Sequence, residues 1–404
     1  MTPQEQANQC IAQGALTNSK RPSTFVEGVY PTHLTKGNGC YVWDTDKRKY
    51  IDFICGLGTN LLGYANIDVN DAIVTQLNYG ATLSLSTTLE IDAANRVKSI
   101  MPFVDQMKFL KTGSEACMAA IRIARAHHGL SKTKPDARCF VLSDGYHGQL
   151  DEFISLTDPA LGVETMASIL PLIGNENLIK SAAAVIIEPV ITDWSAERVK
   201  WLKDLRAQCS ESGTLLIFDE IITGFRFPRF CVANYFGVEP DLILLGKAIA
   251  NGMPLSVVGG KKEIMSGTEY FVSSTFAGET LSLAAAIKTI DLLKGSRYSL
   301  DNLWQKGGEW LDTFNALWPG VLAIEGYPTR GRFVGDDMIK ALFFQQAIDS
   351  GLLFGPSWFW NFSHIQKSET TLSACKDIVC KIKSGNVKLR GKMPQSPFAE
   401  KMRR

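Results

Sequence analysis

Apolar positions in this chain form short unbroken runs separated by stretches of helical spacing. From residue 107 the alternation is regular. Runs at 107–110, 139–143, 183–187, 215–218, 242–245 and 256–258 are too short for helices and too apolar for half-exposed strands. They predict buried strands. Between the first two, segment 114–128 carries Ala116, Ala119, Ala120, Ile123 and Ala124, the face of a packed helix. Alternating strands and helices predict an α/β fold with a largely parallel sheet.

The flanks follow other patterns. Residues 1–20 are polar and read as a helix or arm. Residues 21–36, with Pro22 and Pro31, read as irregular or extended. Segments 40–44 and 50–53 read as strands joined by a polar turn, followed by a loop with Gly56, Gly58 and Gly63. Helical spacing returns at 68–77. Beyond residue 300 two helical segments flank an apparently irregular 326–337 stretch, and a last helix is expected near 369–382. These patterns predict a large domain over 51–290, with 1–50 and 291–404 supplying an N-terminal arm and a small domain.

With 404 residues, 45% hydrophobic and 21% charged, the composition is that of an ordinary globular protein. A net charge of +1 gives no argument for nucleic acid. Basic residues crowd only the end: Lys376, Lys381, Lys383, Lys388, Arg390, Lys392, Lys401, Arg403 and Arg404 read as a solvated helix and tail. Nine scattered cysteines, without metal-ligand spacing, point to reduced thiols and no metal. Met1 to Gln6 lacks a basic-then-apolar leader, and no apolar run is long enough to span a membrane. A cytoplasmic protein is expected.

Candidate chemistry gathers where the strands end. The run 215–218 stops at Asp219-Glu220, and 242–245 stops at Gly246-Lys247. In open α/β sheets ligands bind at the C-terminal rim, so an acid and a lysine share one edge. That pair suits pyridoxal 5'-phosphate: the amine condenses with its aldehyde and the carboxylate pairs with its pyridinium nitrogen. Ile221 points the same way as Asp219 and would pack on the ring, while Glu220 is assigned a structural hydrogen bond. Gly113 and Ser114 open a helix after a strand, a seat for phosphate, with Ser114 as the expected cap. Tyr146, in Gly145-Tyr146-His147-Gly148, would stack on the ring. His127, His128 and the Trp358–Trp360 pair read as structural.

These segments, with Glu188-Pro189, Thr223-Gly224-Phe225-Arg226 and Ser274-Thr275-Phe276-Ala277-Gly278, resemble the class III aminotransferases, from about residue 18 to 365. The nearest branch is that of glutamate-1-semialdehyde 2,1-aminomutase-like proteins. The resemblance implies fold type I, a mostly parallel seven-stranded sheet with a small α+β domain built from both chain ends. Lys247 would hold the cofactor as an aldimine and move protons. Asp219 would pair with the ring nitrogen and Tyr146 would stack on it. Gly113, Ser114, His147, Glu188 and Ile221 would complete the cofactor site. Thr275 would reach the cofactor phosphate of a neighbouring subunit, which implies a homodimer.

The substrate side departs from the aminomutase pattern. An arginine expected for the substrate carboxylate falls at Pro22, next to Arg21. Other pocket positions fall at Leu57, at Asp193 and near Trp360, and Asn-Pro is replaced by Glu279-Thr280. Arg330 and Arg332 are candidates for gripping a carboxylate or phosphate. The expected activity is an aminotransferase for a small amino acid or amine, with an aminomutase or a decarboxylase on the same scaffold as alternatives. A nicotinamide-binding reading fails because Gly56-Leu57-Gly58 lacks the third glycine.

Overall fold

The computed structural model describes residues 1–129, 138–141, 145–150, 153, 167–169 and 179–396. The chain divides into two compact units, one of residues 1–66 with 302 onward and one of residues 67–301. The first begins with α1 (Pro3–Cys10), capped by Thr2 in a reciprocal box with Glu5. Strands β1 (Leu34–Asn38), β2 (Tyr41–Asp44) and β3 (Lys49–Asp52) follow as an antiparallel ribbon. The extended part of the proline-marked stretch is therefore β1.

The second unit opens with α2 (Ile67–Leu77) and α3 (Thr88–Ile100), both packed on the later helix α6 (Thr280–Lys294). Between α3 and α6 in sequence come β4 (Gln106–Leu110), α4 (Gly113–His127), β5 (Cys139–Val141), β6 (Ala167–Ile169), β7 (Ala184–Ile187), α5 (Ala196–Ser212), β8 (Leu215–Asp219), β9 (Leu242–Leu245) and β10 (Ser256–Gly260). The strands form one seven-stranded sheet in the order β4-β10-β9-β8-β7-β5-β6. From β9 to β6 every pairing is parallel, whereas β10 runs antiparallel to both β9 and β4. The sequence predicts a largely parallel sheet, and the sheet is largely parallel; which strand runs the other way is not legible in apolar runs, because strand direction is set by connections. Strands β7, β8 and β9 are buried at every residue, the mark of a sheet covered on both faces. The expected strand end at 142–143 lies outside the described residues.

The remainder of the first unit contains α7 (Leu300–Asn315), β11 (Leu322–Tyr327), β12 (Arg330–Gly335), α8 (Asp337–Asp349), β13 (Leu352–Leu353), β14 (Ser357–Phe359) and α9 (Ser368–Lys383). The stretch expected to be irregular is a hairpin, with Gly326 opposite Gly331 and Tyr327 opposite Arg330. A Cβ at Gly326 would lie 2.3 Å from the Arg330 carbonyl, and one at Gly331 2.8 Å from that of Glu325. These glycines let two strands close together instead of breaking them. Phe53, Trp310, Phe314, Phe354, Trp358 and Trp360 form the aromatic core; Phe53 stacks on Phe354 at 4.4 Å and Trp310 on Trp358 at 5.3 Å. All nine cysteines are free thiols, and seven are buried. No helix among the described residues is long and apolar enough to cross a membrane.

Candidate active site

Asp219 is the last residue of β8, in register with Leu244 of β9, and is 3% exposed. Its Oδ1 accepts the Ile221 amide N–H at 3.1 Å. Its Oδ2 lies 2.8 Å from His147 Nδ1 and accepts the Cys117 thiol at 3.5 Å. Lys247 follows β9 by two residues and opens a short 3₁₀ turn, Lys247–Ala250. Its φ of 43° is left-handed, an unusual state for a side chain of this size and one that concentrates at functional sites. Ile221 lies against both glycines that flank these groups: an added Cβ would meet it at 2.8 Å from Gly113 and 3.1 Å from Gly246. One isoleucine thus ties the start of α4 to the approach to Lys247.

The start of α4 is capped by Thr112, not by Ser114 as expected from the sequence. Thr112 Oγ1 accepts the Glu115 N–H at 3.2 Å, and Glu115 Oε2 accepts the Thr112 N–H at 2.7 Å and the Lys111 N–H at 3.0 Å. Thr112-Gly113-Ser114-Glu115 has the spacing of a capping box, so the signal was present in the sequence. Ser114 is released for another task. Its Oγ accepts the Gln149 N–H at 3.2 Å, and Gly148 lies so close that a Cβ there would fall 2.2 Å from that oxygen. Gly113 and Ser114 are the first helical residues, whose N–H groups precede the intrahelical ladder and favour an anion.

Tyr146 is 42% exposed, and its backbone N–H donates to Glu188 Oε1 at 2.9 Å. Burial, then the neighbouring Cys117, Asp219 and Glu188, raise its phenol above the ordinary tyrosine range. Glu188 is in turn framed by Arg198, which donates to the Glu188 carbonyl at 3.1 Å and the Pro189 carbonyl at 2.9 Å. The sequence carries no signal for this role of Arg198, because the groups it holds here are main-chain oxygens. Glu220 is fully buried and structural: it accepts Thr223 Oγ1 at 2.8 Å and the amides of Val232 at 2.7 Å and Ala233 at 2.9 Å. Burial outweighs those bonds and pushes its carboxyl up to about 7. His128 is also structural, with Nε2 3.1 Å from the Ala183 carbonyl.

Thr275 is exposed, in the segment leading to α6. Asp193 is exposed and bonds the Ser195 N–H at 3.0 Å; that bond lowers its carboxyl. The other substrate candidates belong to the first unit. Leu57 has a left-handed φ of 61°. Trp360 is wholly buried in the aromatic core. Arg332 lies on β12, paired at 3.5 Å with Glu325, both more than half exposed. Arg330 opens the same strand and is partly buried. Arg21 Nε is buried and has no hydrogen-bond partner among the described residues.

Residues 25–173 and 164–358 match the family described as aminotransferase class-III. Glutamate-1-semialdehyde 2,1-aminomutase of Syntrophobacter fumaroxidans is 29% identical over 403 residues, covering 89% of this chain and 90% of that protein. The enzyme of the same name from Nitrosopumilus maritimus is 35% identical over 292 residues, 67% of this chain and 69% of its own. Among solved structures, the PLP internal aldimine form of the FumI protein of Sphingopyxis sp. MTA144 superposes with a TM-score of 0.87 at 23% identity, over 97% of this chain and 98% of its own. An omega-transaminase from Sphaerobacter thermophilus gives 0.82 at 22%, over 94% and 97%. The structural likeness establishes the fold-type I architecture. The family match, spanning most of the sequence, establishes descent: this chain belongs to the class-III aminotransferases, a family of enzymes dependent on pyridoxal 5'-phosphate.

Proposed function

We propose that this chain is an aminotransferase that uses pyridoxal 5'-phosphate to take an amino group from a small amino acid or amine. The observation that carries the reading is the rim of β8 and β9: a buried carboxylate and a conformationally strained lysine end two hydrogen-bonded neighbours, beside the first N–H groups of α4. The donor set fits the cofactor. An acceptor-only carboxylate suits a protonated ring nitrogen, a primary amine suits an aldehyde, and a helix start suits a phosphate. The glycine positions 113 and 246, where a Cβ would press on Ile221, leave that residue free to pack beside a flat ring.

Bound pyridoxal phosphate supplies the electron sink for the bond broken at the substrate α-carbon. The chain's own residues do the rest. Lys247 Nζ holds the cofactor and then carries a proton at that carbon. Asp219, braced by His147 and the Ile221 amide, keeps the ring nitrogen protonated. Glu188 fixes the backbone of Tyr146 so that its ring can cover the cofactor. Gly113 and Ser114 take the phosphate. Thr275, exposed on its segment, serves the site of a second copy, so the working unit is a homodimer. Seven buried free thiols suit the reducing cytoplasm.

The relatives' shared name supports a second reading, glutamate-1-semialdehyde aminomutation. Against it stand Leu57, Asp193, Trp360 and the Arg21-Pro22 pair, where the sequence departs from the aminomutase pattern. The deciding experiment records absorbance of the purified protein with cofactor, then adds amino acids, amines and glutamate 1-semialdehyde in turn. A visible band bleached by one amine, with release of its carbonyl product, is expected; Lys247→Ala should lack both band and turnover. A response confined to the semialdehyde, with no net amine transfer, would establish the aminomutase. No band with added cofactor would end both readings.

A further inference from the structure

Asp219 has a contact that the cofactor chemistry described above does not use. Cys117 Sγ lies 3.5 Å from Asp219 Oδ2 and is wholly buried. It stands four residues after Gly113 on α4, one helical turn below the residues assigned to the phosphate. We infer that Cys117 is a positioning residue: its thiol donates to Asp219 Oδ2 and fixes the carboxylate that receives the cofactor's ring nitrogen. This rests on the reading of Asp219 as the pyridinium partner.

The direction of the bond follows from the groups. A carboxylate only accepts, so the sulfur must carry the proton. Burial, then the charge of Asp219, hold the thiol well above its ordinary range, with Lys247 opposing and Glu188 adding to the effect. Cys117 is therefore a permanent neutral donor. The charged or titratable groups around Asp219 are Cys117, His147, Lys247, Tyr146, Glu188 and Glu220. Among these, Cys117 and His147 hydrogen-bond the same oxygen, Oδ2, while Oδ1 accepts the Ile221 amide among the described residues and offers a further lone pair to the ring. Helix α4 then grips the cofactor at both ends, phosphate at its first turn and ring nitrogen, through Asp219, at its second. A neutral thiol braces the carboxylate while withdrawing little charge from it, because S–H is a weak donor.

The rival explanation is packing alone, and three substitutions separate the two. Cys117→Ser keeps a donor but loses bulk, Cys117→Val keeps bulk but loses the donor, and Cys117→Ala loses both. The readouts are the cofactor dissociation constant of the apoprotein and the pH midpoint of the bound cofactor's visible band. The Val and Ala variants should bind cofactor about three- to tenfold more weakly, the effect of one buried hydrogen bond, with a shifted midpoint. The Ser variant should remain within about twofold of the parent. A Val variant that matches the parent in both readouts, beside a weakened Ser variant, overturns the inference. Should the Val variant not fold, equal affinity and midpoint in the Ala variant and the parent overturn it instead. A parent protein that shows no cofactor band at all refutes the underlying assignment of Asp219, a distinct failure.

Discussion

Arg21 and Arg332 are similar residues in the sequence and different objects in the structure. Arg332 already has an acid, Glu325, and both are open to water, where such a pair contributes little. Arg21 has a buried Nε with no hydrogen-bond partner among the described residues. A carboxylate held by such a group gains a strong charge-assisted bond. Steady-state kinetics of Arg21→Ala should show KM for the amino donor raised about tenfold or more, with Arg332→Ala within about twofold. Equal effects would place substrate recognition elsewhere. Lys247 teaches a related point. Its charge was legible from sequence, but its left-handed backbone was not, because nothing in Leu245-Gly246-Lys247 demands it locally.

At the scale of elements, helix starts carry the site. Glu279, standing where Asn-Pro was expected, caps α6: it accepts the amides of Leu281 at 2.6 Å and Ser282 at 3.2 Å. It also pairs with Lys111 at 2.8 Å, both side chains being 13% exposed. That bridge joins the segment before α4 to the helix that follows Thr275. Burial opposes the Glu279 charge, yet Lys111, Ser282 and the Leu281 amide hold its carboxyl below the usual glutamate range. A depressed folded value means the stabilisation is present above the unfolded value and is lost as pH falls through the folded one. Glu279→Ala should lower the thermal midpoint by several degrees, since a cap alone contributes about 1 kcal/mol. Its effect on cofactor affinity should appear at the phosphate end, as weaker binding of inorganic phosphate to the apoprotein. An unchanged midpoint would show that the α6 cap is dispensable. The hairpin of β11 and β12 belongs here too: glycines that read as breakers along the chain act as spacers across a strand pair.

Across the whole molecule, each unit buries a carboxyl whose ionisation opposes folding. Asp52, in the first unit, is pushed up to about 6 by burial, against bonds from Tyr64 and the Ile54 and Cys55 amides. Glu220, in the second, is pushed up to about 7. Both hold their protons to higher pH folded than unfolded. Their contribution to stability is therefore greatest below the unfolded carboxylate range, where that of Glu279 is lost, and declines as pH rises through about 6 and about 7. Urea midpoints should fall across that window, and Glu220→Gln should flatten the upper part of the fall. A parent midpoint that rises there would contradict both assignments.

What the sequence by itself determined is what depends on neighbours along the chain. Buried strands, the helix after Leu110, and the acid and lysine that end two strands are all short-range patterns, so periodicity and residue type revealed them. The seven motifs in their order also sufficed to recognise the family, which the match over residues 25–173 and 164–358 shows. Only the tertiary structure decided which groups meet across the chain. It turned β10 against its neighbours, moved the cap of α4 to Thr112, set Cys117 and His147 on one oxygen of Asp219, and gave Arg332 a partner while leaving Arg21 Nε without a hydrogen bond among the described residues. The physical reason is that hydrogen bonds and ion pairs depend on distance in space, and a contact between residues 102 positions apart leaves no trace in local spacing.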